Sequence, residues 1–234
     1  MHRGTIFVEE CEILAHEAHP AGQWRLRIHA PRIAANAAPG SFVHMSCDPL
    51  LAMRRPMSLM RTDADGGWAD ILYKEVGYGT KLLAGKLPGA RLSVIGPIGR
   101  PFAPVPGRPR ALLLGGGVGI PPILFLADRL RQDESASVFV AMGSEVPFPF
   151  ETRASDIAVP ELDGEASATM PLLEQWGIAA RLASGAGLAG CHRGYVTDLA
   201  RVWLDALDED ARGEVAVYAC GPVPMLEALS LIHI

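Results

Sequence analysis

The sequence predicts two domains, an antiparallel Greek-key β-barrel followed by an α/β domain with a parallel sheet. The first hundred residues alternate short apolar runs with turn residues, which is typical of the many short strands of a barrel or a sandwich. Apolar strands that alternate with helical patterns follow, which indicates βαβ units. Between the two lies FAPVPGRPR at 102–110, whose three prolines and one glycine are typical of a linker.

The strands predicted for the barrel are apolar runs bounded by turn signals such as APG, DADGG and LPGA. They are TIFVEECEIL, WRLRIHA, SFVHMSC, MSLMR, ADILYKEVG and RLSVIGPIG, and GTKLLAG adds one short helix. We therefore place a barrel domain at 1–103 and a linker at 104–110.

The second domain is predicted at 111–229, and residues 230–234 are interpreted as a non-native tail. Buried strands are predicted in ALLLG, SVFVAMGS, IAARLAS and VAVYACG, with helices near 121–131, at 197–207 and after Pro222. The pattern at 147–170 is ambiguous, and no element is assigned there.

Composition argues against several classes of function. The net charge is −5 and there is no basic run, so nucleic acid is not expected as a partner. None of the four cysteines falls in a CxxC pair and the seven histidines are scattered, so no metal site is predicted. The N-terminus lacks an apolar signal core, and glycines and prolines break the longest uncharged stretch, 111–127. We expect a cytoplasmic protein without a membrane span.

The first motif is Arg55-Pro56-Met57-Ser58. An arginine fork can grip a diphosphate with two parallel hydrogen bonds, Pro56 bends the strand, and Ser58 offers a hydroxyl to a polar ring edge. The alternative is a solvated basic pair, Arg54 and Arg55, beside a turn.

The second motif joins Leu72-Tyr73-Lys74 to Gly79-Thr80. A tyrosine can cover a flat ring, and the glycine can open a short helix whose N–H groups face a phosphate. Tyr73 can equally be a half-buried strand residue, and Gly79 a turn residue.

The third motif is LLLGGGVGIPP, from Leu112 to Pro122. An apolar strand enters glycines whose bare backbone can approach a pyrophosphate, and the helix that follows favours its negative charge. The helix opens with Pro121 and Pro122, which a first helical turn tolerates. The alternative is a tight turn without a ligand.

The fourth motif, Cys220-Gly221-Pro222 followed by Met225, ends a buried strand. It places a thiol and bare backbone at the carboxyl edge of the predicted sheet, where doubly wound folds bind ligands. Cys220 can equally be an inert core thiol.

Together and in this order, the four motifs resemble the ferredoxin–NADP reductase superfamily over essentially the whole chain. Within it, the sequence is most similar to the electron-transfer subunits of bacterial dihydroorotate dehydrogenase. The resemblance implies a FAD-binding barrel, a NAD(P)-binding α/β domain and hydride transfer from NAD(P)H to FAD. It also implies a catalytic flavoprotein subunit as partner, in pyrimidine biosynthesis.

The resemblance implies a role for each motif residue. In the barrel, the flavin and its diphosphate would be held by Arg55, Pro56, Met57, Ser58, Leu72, Tyr73, Lys74, Gly79 and Thr80. In the second domain, the nicotinamide nucleotide would be held by Gly115, Gly116, Gly117, Gly119, Ile120, Pro121, Pro122, Cys220, Gly221, Pro222 and Met225. Ser58 and Cys220 are expected at the reacting rings, which they orient and tune without reacting covalently.

The sequence departs from the family at two places. Members carry an Asp-Asp-Gly-like turn after the third strand of the nucleotide domain, where Ser184-Gly185-Ala186 stands here, so the choice between NAD and NADP stays open. Members also continue past the CGPxPM helix into a cysteine cluster that binds a 2Fe-2S centre. This chain instead ends in LSLIHI at 229–234, which resembles a translated sequencing adapter. We expect a truncated gene, with the 2Fe-2S centre only in the untruncated protein.

Two alternatives stay open from the sequence. Another reductase subunit of the superfamily carries almost the same motifs, such as the gamma subunit of a hydrogenase or sulfide dehydrogenase, or a ferredoxin:NADP oxidoreductase subunit. A non-catalytic module that only docks a partner is the alternative of a different class. The presence of both the Arg55 motif and the triple glycine argues against that module.

Overall fold

The computed structural model describes residues 5–162, 164 and 166–232. The chain divides into two compact units between Phe102 and Ala103. The division lies next to the proline-rich segment, while the predicted domain limits themselves stay predictions.

The first unit is a closed barrel of six antiparallel strands. They are β1 (Phe7–His19), β2 (Gln23–His29), β3 (Phe42–Met45), β4 (Arg55–Asp63), β5 (Trp68–Lys74) and β6 (Arg91–Ile98). Around the barrel the order is β1-β2-β5-β4-β3-β6, so β6 returns beside β3 after the β3-β4-β5 meander. This arrangement is a Greek key, and it confirms the predicted barrel over the sandwich.

The alternating side chains of these strands fill the barrel interior. Leu26 and Ile28 of β2, Val43 of β3, Leu59 of β4 and Ile71 of β5 are fully buried. Successive residues of a strand point to opposite faces, so each strand gives one face to this core and the other to the outside.

A buried ion pair links β2 to β5. Asp70 is fully buried and accepts two hydrogen bonds of 2.7 Å from the guanidinium of Arg27, which also stacks over the Trp68 ring. Removing Arg27 would cost ~3–5 kcal/mol, because the carboxylate of Asp70 would stay buried without compensation. The pair therefore holds these two strands in register.

Two short helices complete the first unit, α1 (Pro31–Asn36) and α2 (Tyr78–Ala84). Helix α2 connects β5 to β6, so its first residues stand just beyond the end of β5. This connection positions the Gly79-Thr80 motif.

The second unit contains a four-stranded parallel sheet and a separate two-stranded one. Its strands are β7 (Arg110–Gly116), β8 (Ser137–Gly143), β9 (Arg153–Ala154), β10 (Ala168–Thr169), β11 (Ala179–Ala183) and β12 (Val215–Cys220). Its helices are α3 (Ile120–Leu130), α4 (Pro171–Gln175), α5 (Val196–Asp205), α6 (Glu209–Gly213) and α7 (Val223–Ile232). The parallel sheet has the order β11-β8-β7-β12, which confirms the predicted α/β domain.

Helices cover both faces of this sheet. Leu112 and Leu114 of β7 belong to the core that α5 and α7 cover, whereas α3 packs against β7 and β12. Because side chains alternate along a strand, Leu113 lies on the opposite face from its two neighbours. The second unit is therefore doubly wound.

Residues 147–170 hold the short strands β9 and β10 and a 3₁₀ turn at Pro160–Leu162, and Asp163 and Glu165 lie outside the described residues. Of the tail predicted at 230–234, residues 230–232 form the end of α7. His233 and Ile234 also lie outside the described residues.

Candidate functional site

The structure brings the Arg55 motif and the Gly79 motif into contact. Arg55 begins β4, and its guanidinium lies against Gly79 in the first turn of α2. A Cβ placed on Gly79 would stand 3.0 Å from Nε and 3.3 Å from Nη2 of Arg55. A larger residue at this position would force the guanidinium to shift by a few tenths of an ångström.

The two adjacent arginines have different environments. Arg54 donates to the carbonyl oxygen of Ser93 at 2.6 Å and to its hydroxyl at 3.0 Å, so it ties the approach to β4 onto β6. Arg55 donates from Nη1 to the carbonyl oxygens of Met53 at 3.1 Å and Arg54 at 3.4 Å. No carboxylate of the described residues forms an ion pair with Arg55. The guanidinium of Arg55 is therefore available to bind an anion, whereas that of Arg54 stabilises the barrel.

Thr80 shapes the turn that leads into α2. Its hydroxyl donates to the carbonyl oxygen of Gly77 at 3.0 Å and accepts from the backbone N–H groups of Val76 and Gly77 at 3.0 and 3.1 Å. The side chain is buried. These bonds fix the backbone around Gly79, and the phosphate contact implied for Thr80 stays a prediction.

Large apolar side chains stand exposed beside this contact. Met53, Val76 and Tyr78 are 74%, 81% and 69% exposed, and they adjoin Arg55 and Gly79 in the chain. Exposed apolar surface next to a cation suits a ligand that has both a flat ring and a phosphate. The sequence analysis did not identify these three residues, although they lie next to the two motifs in the chain.

The two faces of β4 divide the rest of the first motif. Met57 is buried in the barrel opposite Val43, whereas Pro56 is exposed and Ser58 half-buried on the other face. Ser58 pairs with Phe42 of β3. Ser58 and Pro56 can therefore reach a ligand outside the barrel with their side chains, and Met57 only with its backbone.

Tyr73 is held inside the first unit rather than presented on its surface. It is 3% exposed, and its hydroxyl lies 2.9 Å from Nε2 of His16, whose Nδ1 lies 2.8 Å from the carbonyl oxygen of Lys86. Burial raises the pKa of Tyr73, and the nearby Glu75 raises it further. Leu72 is also buried and Lys74 is half-buried. Their implied contacts with a flavin stay predictions, and His16 carries no sequence signal for its role beside Tyr73.

In the second unit, the third and fourth motifs meet at one edge of the parallel sheet. Strand β7 lies between β8 and β12, and Cys220 at the end of β12 pairs with Gly115 at the end of β7. After β7 the chain continues to β8 on one side of β7, and it later returns to form β12 on the other side. Ligands of doubly wound folds bind at such a switch point, beyond the carboxyl ends of the strands.

Close packing explains several of the glycines. A Cβ on Gly119 would collide with the carbonyl group of Cys220. A Cβ on Gly116 or on Gly221 would stand 2.6 Å from the side chain of Met225. These residues therefore hold the glycine turn against the end of β12, and Met225 fills the space that their missing side chains leave.

Gly117 differs from these glycines. Its φ is +53°, which favours glycine, and no atom of the described residues lies within 4 Å of the position of its Cβ. The next residue, Val118, is 57% exposed. The turn thus presents bare backbone to the outside at Gly117, while Ile120, Pro121 and Pro122 are buried in the first turn of α3 and position it.

Cys220 is half-buried, and burial raises the pKa of its thiol. The thiol therefore stays protonated at neutral pH, since the thiolate is the form that water stabilises. A protonated thiol can contact a ring without attacking it.

Two turns close the same edge of the sheet at β8 and β11. Glu145 follows β8 and is exposed. After β11, the hydroxyl of the buried Ser184 accepts a hydrogen bond from the N–H of Ala186 at 3.2 Å. The turn at Ser184-Gly185-Ala186 thus carries no carboxylate, whereas the turn after β8 does.

Two curated relatives of this chain carry the same name. It is 36% identical over 198 residues to the dihydroorotate dehydrogenase B (NAD(+)), electron transfer subunit of Bacillus caldolyticus, a match that covers 82% of this chain and 66% of that protein. It is 32% identical over 232 residues to the subunit of the same name from Geobacillus sp. (strain WCH70), covering 94% of this chain and 77% of that protein. The chain belongs to the family of dihydroorotate dehydrogenase B electron transfer subunits.

The chain spans somewhat less than two thirds of the Bacillus caldolyticus subunit. The solved structure of an NADH-dependent reduced ferredoxin-NADP oxidoreductase matches with a TM-score of 0.71 at 23% identity, covering 96% of this chain and 72% of that one. This likeness confirms the predicted ferredoxin reductase-like fold. No protein-family model matches the chain.

The iron–sulfur centre expected for the electron transfer subunit family finds no ligands in the described part of the chain. No group of three or more His, Cys, Asp or Glu residues there is placed to hold a metal ion. The described residues do not fit a cluster. None of the described helices is long and apolar enough to cross a membrane.

Proposed function

We propose that this chain binds FAD and a nicotinamide nucleotide and passes electrons between NAD(P)H and the catalytic flavoprotein subunit of a dihydroorotate dehydrogenase. The names of the family members support the partner, because each is the electron transfer subunit of an NAD(+)-type enzyme. The observation that carries the proposal is the contact between Arg55 and Gly79.

The surroundings of Arg55 fit the diphosphate of FAD. The guanidinium is half-buried, and among the described residues it donates to two backbone carbonyl oxygens, at 3.1 and 3.4 Å. A guanidinium carries five N–H donors, so several stay available to an anion. The diphosphate would supply acceptors for them in the geometry that arginine prefers.

Ser58 and the exposed apolar side chains complete this proposed site. Ser58 lies on the outer face of β4, where its hydroxyl would bond the polar edge of the flavin ring. Met57, Leu72 and Tyr73 are buried, so they would act through their backbone and by fixing the strands.

The glycine turn supports a nicotinamide nucleotide at the switch point of the second unit. The open space at Gly117 would let a pyrophosphate approach the backbone. Gly119, Gly221 and Met225 would act indirectly, because their close packing holds this turn beside Cys220.

FAD, when bound, accepts a hydride from NAD(P)H and releases electrons one or two at a time. In this proposal Arg55 neutralises the diphosphate and Ser58 orients the ring. Cys220 remains a neutral thiol beside the nicotinamide, because burial raises its pKa. No step is assigned to an iron–sulfur centre.

Absorbance spectra of the purified chain test the proposal. We expect flavin bands after addition of FAD, and their bleaching under anaerobic conditions by NADH or NADPH. Arg55→Gln is expected to weaken FAD binding by roughly 10- to 100-fold, because hydrogen bonds to a charged group contribute ~1.5–3 kcal/mol. Arg91→Gln, at an exposed position of β6, is the matched control and is expected to bind FAD like the wild type. Protein that stays colourless with FAD would instead favour a module that only docks a partner.

A further inference from the structure

Helix α2 is tied at both of its ends to the segment that leads into β4. At its first turn, Gly79 lies against the guanidinium of Arg55, the first residue of β4. Just beyond its last turn, Lys86 forms an ion pair of 3.2 Å with Asp48, at the start of that segment. The helix has seven residues and is therefore about 10 Å long, so the two contacts hold it at separate points.

Asp48 shapes the segment 48–54, which follows β3 and leads into β4. One of its carboxylate oxygens pairs with Lys86, and the other accepts a hydrogen bond of 3.0 Å from the N–H of Leu50. Both bonds lower the pKa of Asp48, with the larger effect from Leu50, so the carboxylate is charged at neutral pH. The side chains of Asp48 and Lys86 are only 19% and 21% exposed, so water screens this pair less than a pair on the open surface.

Arg55 depends on the same segment for its orientation. Its Nη1 donates to the carbonyl oxygens of Met53 and Arg54, the last two residues of the segment. Arg54 is fixed in turn to Ser93 of β6. Asp48 anchors the other end of the segment. The two carbonyl groups that orient Arg55 are therefore supported from both sides.

Arg55 and Lys86 also lie near the same buried thiol. Cys47 is fully buried, and burial raises the pKa of its thiol. The charges of Arg55 and Lys86 each lower that pKa in part, as only nearby charges do. Both cations of the first unit that face the segment 48–54 are thus close to the residue that precedes it.

The backbone of Lys86 extends this support to a third motif residue. Its N–H donates to the carbonyl oxygen of Leu83 at 2.9 Å, and its own carbonyl oxygen lies 2.8 Å from Nδ1 of His16. The Nε2 of the same ring lies 2.9 Å from the hydroxyl of Tyr73. Lys86 therefore connects the end of α2, the segment 48–54 and Tyr73.

We propose that Asp48 and Lys86 are positioning residues of the proposed FAD site, and that their ion pair keeps the guanidinium of Arg55 directed at the diphosphate. The inference rests on the proposed function. Without the pair, the segment 48–54 is released from α2, and the carbonyl groups that orient Arg55 lose one of their two supports. Asp48 and Lys86 act through Arg55, and neither belongs to the four motifs.

Asp48→Ser separates positioning from simple electrostatics. It keeps an oxygen that can accept the N–H of Leu50, but it removes the charge that pairs with Lys86. Loss of an anion near a diphosphate would by itself tighten FAD binding, since like charges repel. We expect the opposite, FAD binding that is weaker by about two- to fivefold, the range that exposed ion pairs reach. Asp65→Ser, at an exposed position between β4 and β5, changes the charge equally and is expected to keep the affinity.

Titrations of flavin fluorescence in the Arg55→Gln background test whether the effect passes through Arg55. We expect Asp48→Ser to cause no further loss of FAD affinity there, because the group that it positions is gone. A general weakening of the barrel would instead lower the affinity by the same factor in both backgrounds. Lys86→Met breaks the pair from the other side and covers the case in which Asp48→Ser does not fold. Its loss of affinity is likewise expected to vanish in the Arg55→Gln background.

The outcomes separate this inference from the proposed function. A wild-type chain that binds no FAD would overturn the proposed function, and the positioning role with it. If the wild type binds FAD, unchanged or tighter binding by Asp48→Ser would overturn the positioning role alone. An equal loss of affinity with and without Arg55 would do the same.

Discussion

The guanidinium of Arg55 rests on the backbone of Gly79, with its Nε 3.0 Å from the place that a Cβ on Gly79 would occupy. The contact joins the start of strand β4 to the first turn of helix α2. Gly79 is needed here for the room that its missing side chain leaves for Arg55. Backbone conformation does not require a glycine, since the φ of Gly79 is not positive.

Gly79→Ala is expected to weaken FAD binding by about tenfold, because the added methyl forces the guanidinium that would hold the diphosphate to shift by a few tenths of an ångström. The fold is expected to stay intact, since alanine is more favourable than glycine inside a helix by ~1 kcal/mol. Gly77→Ala is the matched control, because no atom of the described residues lies within 4 Å of its Cβ position. Titration of flavin fluorescence measures both affinities, and equal affinities would contradict the role given to the contact.

For Arg54 we expect a loss of stability without a loss of FAD affinity, the opposite of what we expect for Arg55. Arg54→Met is expected to lower the free energy of unfolding by ~1–3 kcal/mol, because it leaves the carbonyl oxygen of Ser93 without its charged donor. FAD affinity of the folded variant is expected to stay close to that of the wild type. Urea denaturation and flavin titration, run beside Arg55→Gln, check this division. A stable Arg54→Met that no longer binds flavin would reverse the roles of the two arginines.

The sequence was sufficient to predict the barrel and the parallel sheet, because strand alternation and continuous apolar runs are local patterns. It did not reveal α1, α4 and α6, which have six, five and five residues, because helices this short show too little periodicity. The predicted first strand ended at Leu14, whereas β1 continues to His19. Its added residues pair with β2 from Ala15 to His19, and pairing with a distant segment is not written in the local pattern.

In the candidate site too, contacts between distant residues could not be predicted from the sequence. The sequence identified Arg55 and Gly79 as members of two motifs but could not show that they touch. Arg54 bonds Ser93, 39 positions away, and the hydroxyl of Tyr73 bonds the ring of His16, 57 positions away. Such contacts arise when strands close into a barrel, so residue type and spacing do not predict them.

Cys220 is expected to be a poor nucleophile. Burial raises the pKa of its thiol, so the reactive thiolate is scarce at neutral pH and increases only above the usual value of ~8.5. Iodoacetamide labelling followed by peptide mass spectrometry is expected to modify Cys220 slowly at neutral pH and faster in alkali. Cys220→Ser is expected to keep hydride transfer, because the thiol forms no covalent bond. Rapid labelling at neutral pH, or loss of hydride transfer in the serine variant, would contradict this assignment.

Glu145 is expected to set the preference for NADH over NADPH. In dinucleotide-binding folds, a carboxylate beyond the glycine turn bonds the ribose 2′-hydroxyl, and it repels a 2′-phosphate. Here Glu145 stands 26 residues beyond Gly119. Glu145 is exposed at the carboxyl end of β8, whereas the turn at Ser184-Gly185-Ala186 carries no acid. Glu145→Gln is therefore expected to shift the ratio of kcat/KM for the two nucleotides toward NADPH by about tenfold, roughly the value of one lost charge interaction. Glu151→Gln, at another exposed position, is expected to leave the ratio unchanged. A wild-type chain that prefers NADPH would show that the ribose lies against other residues.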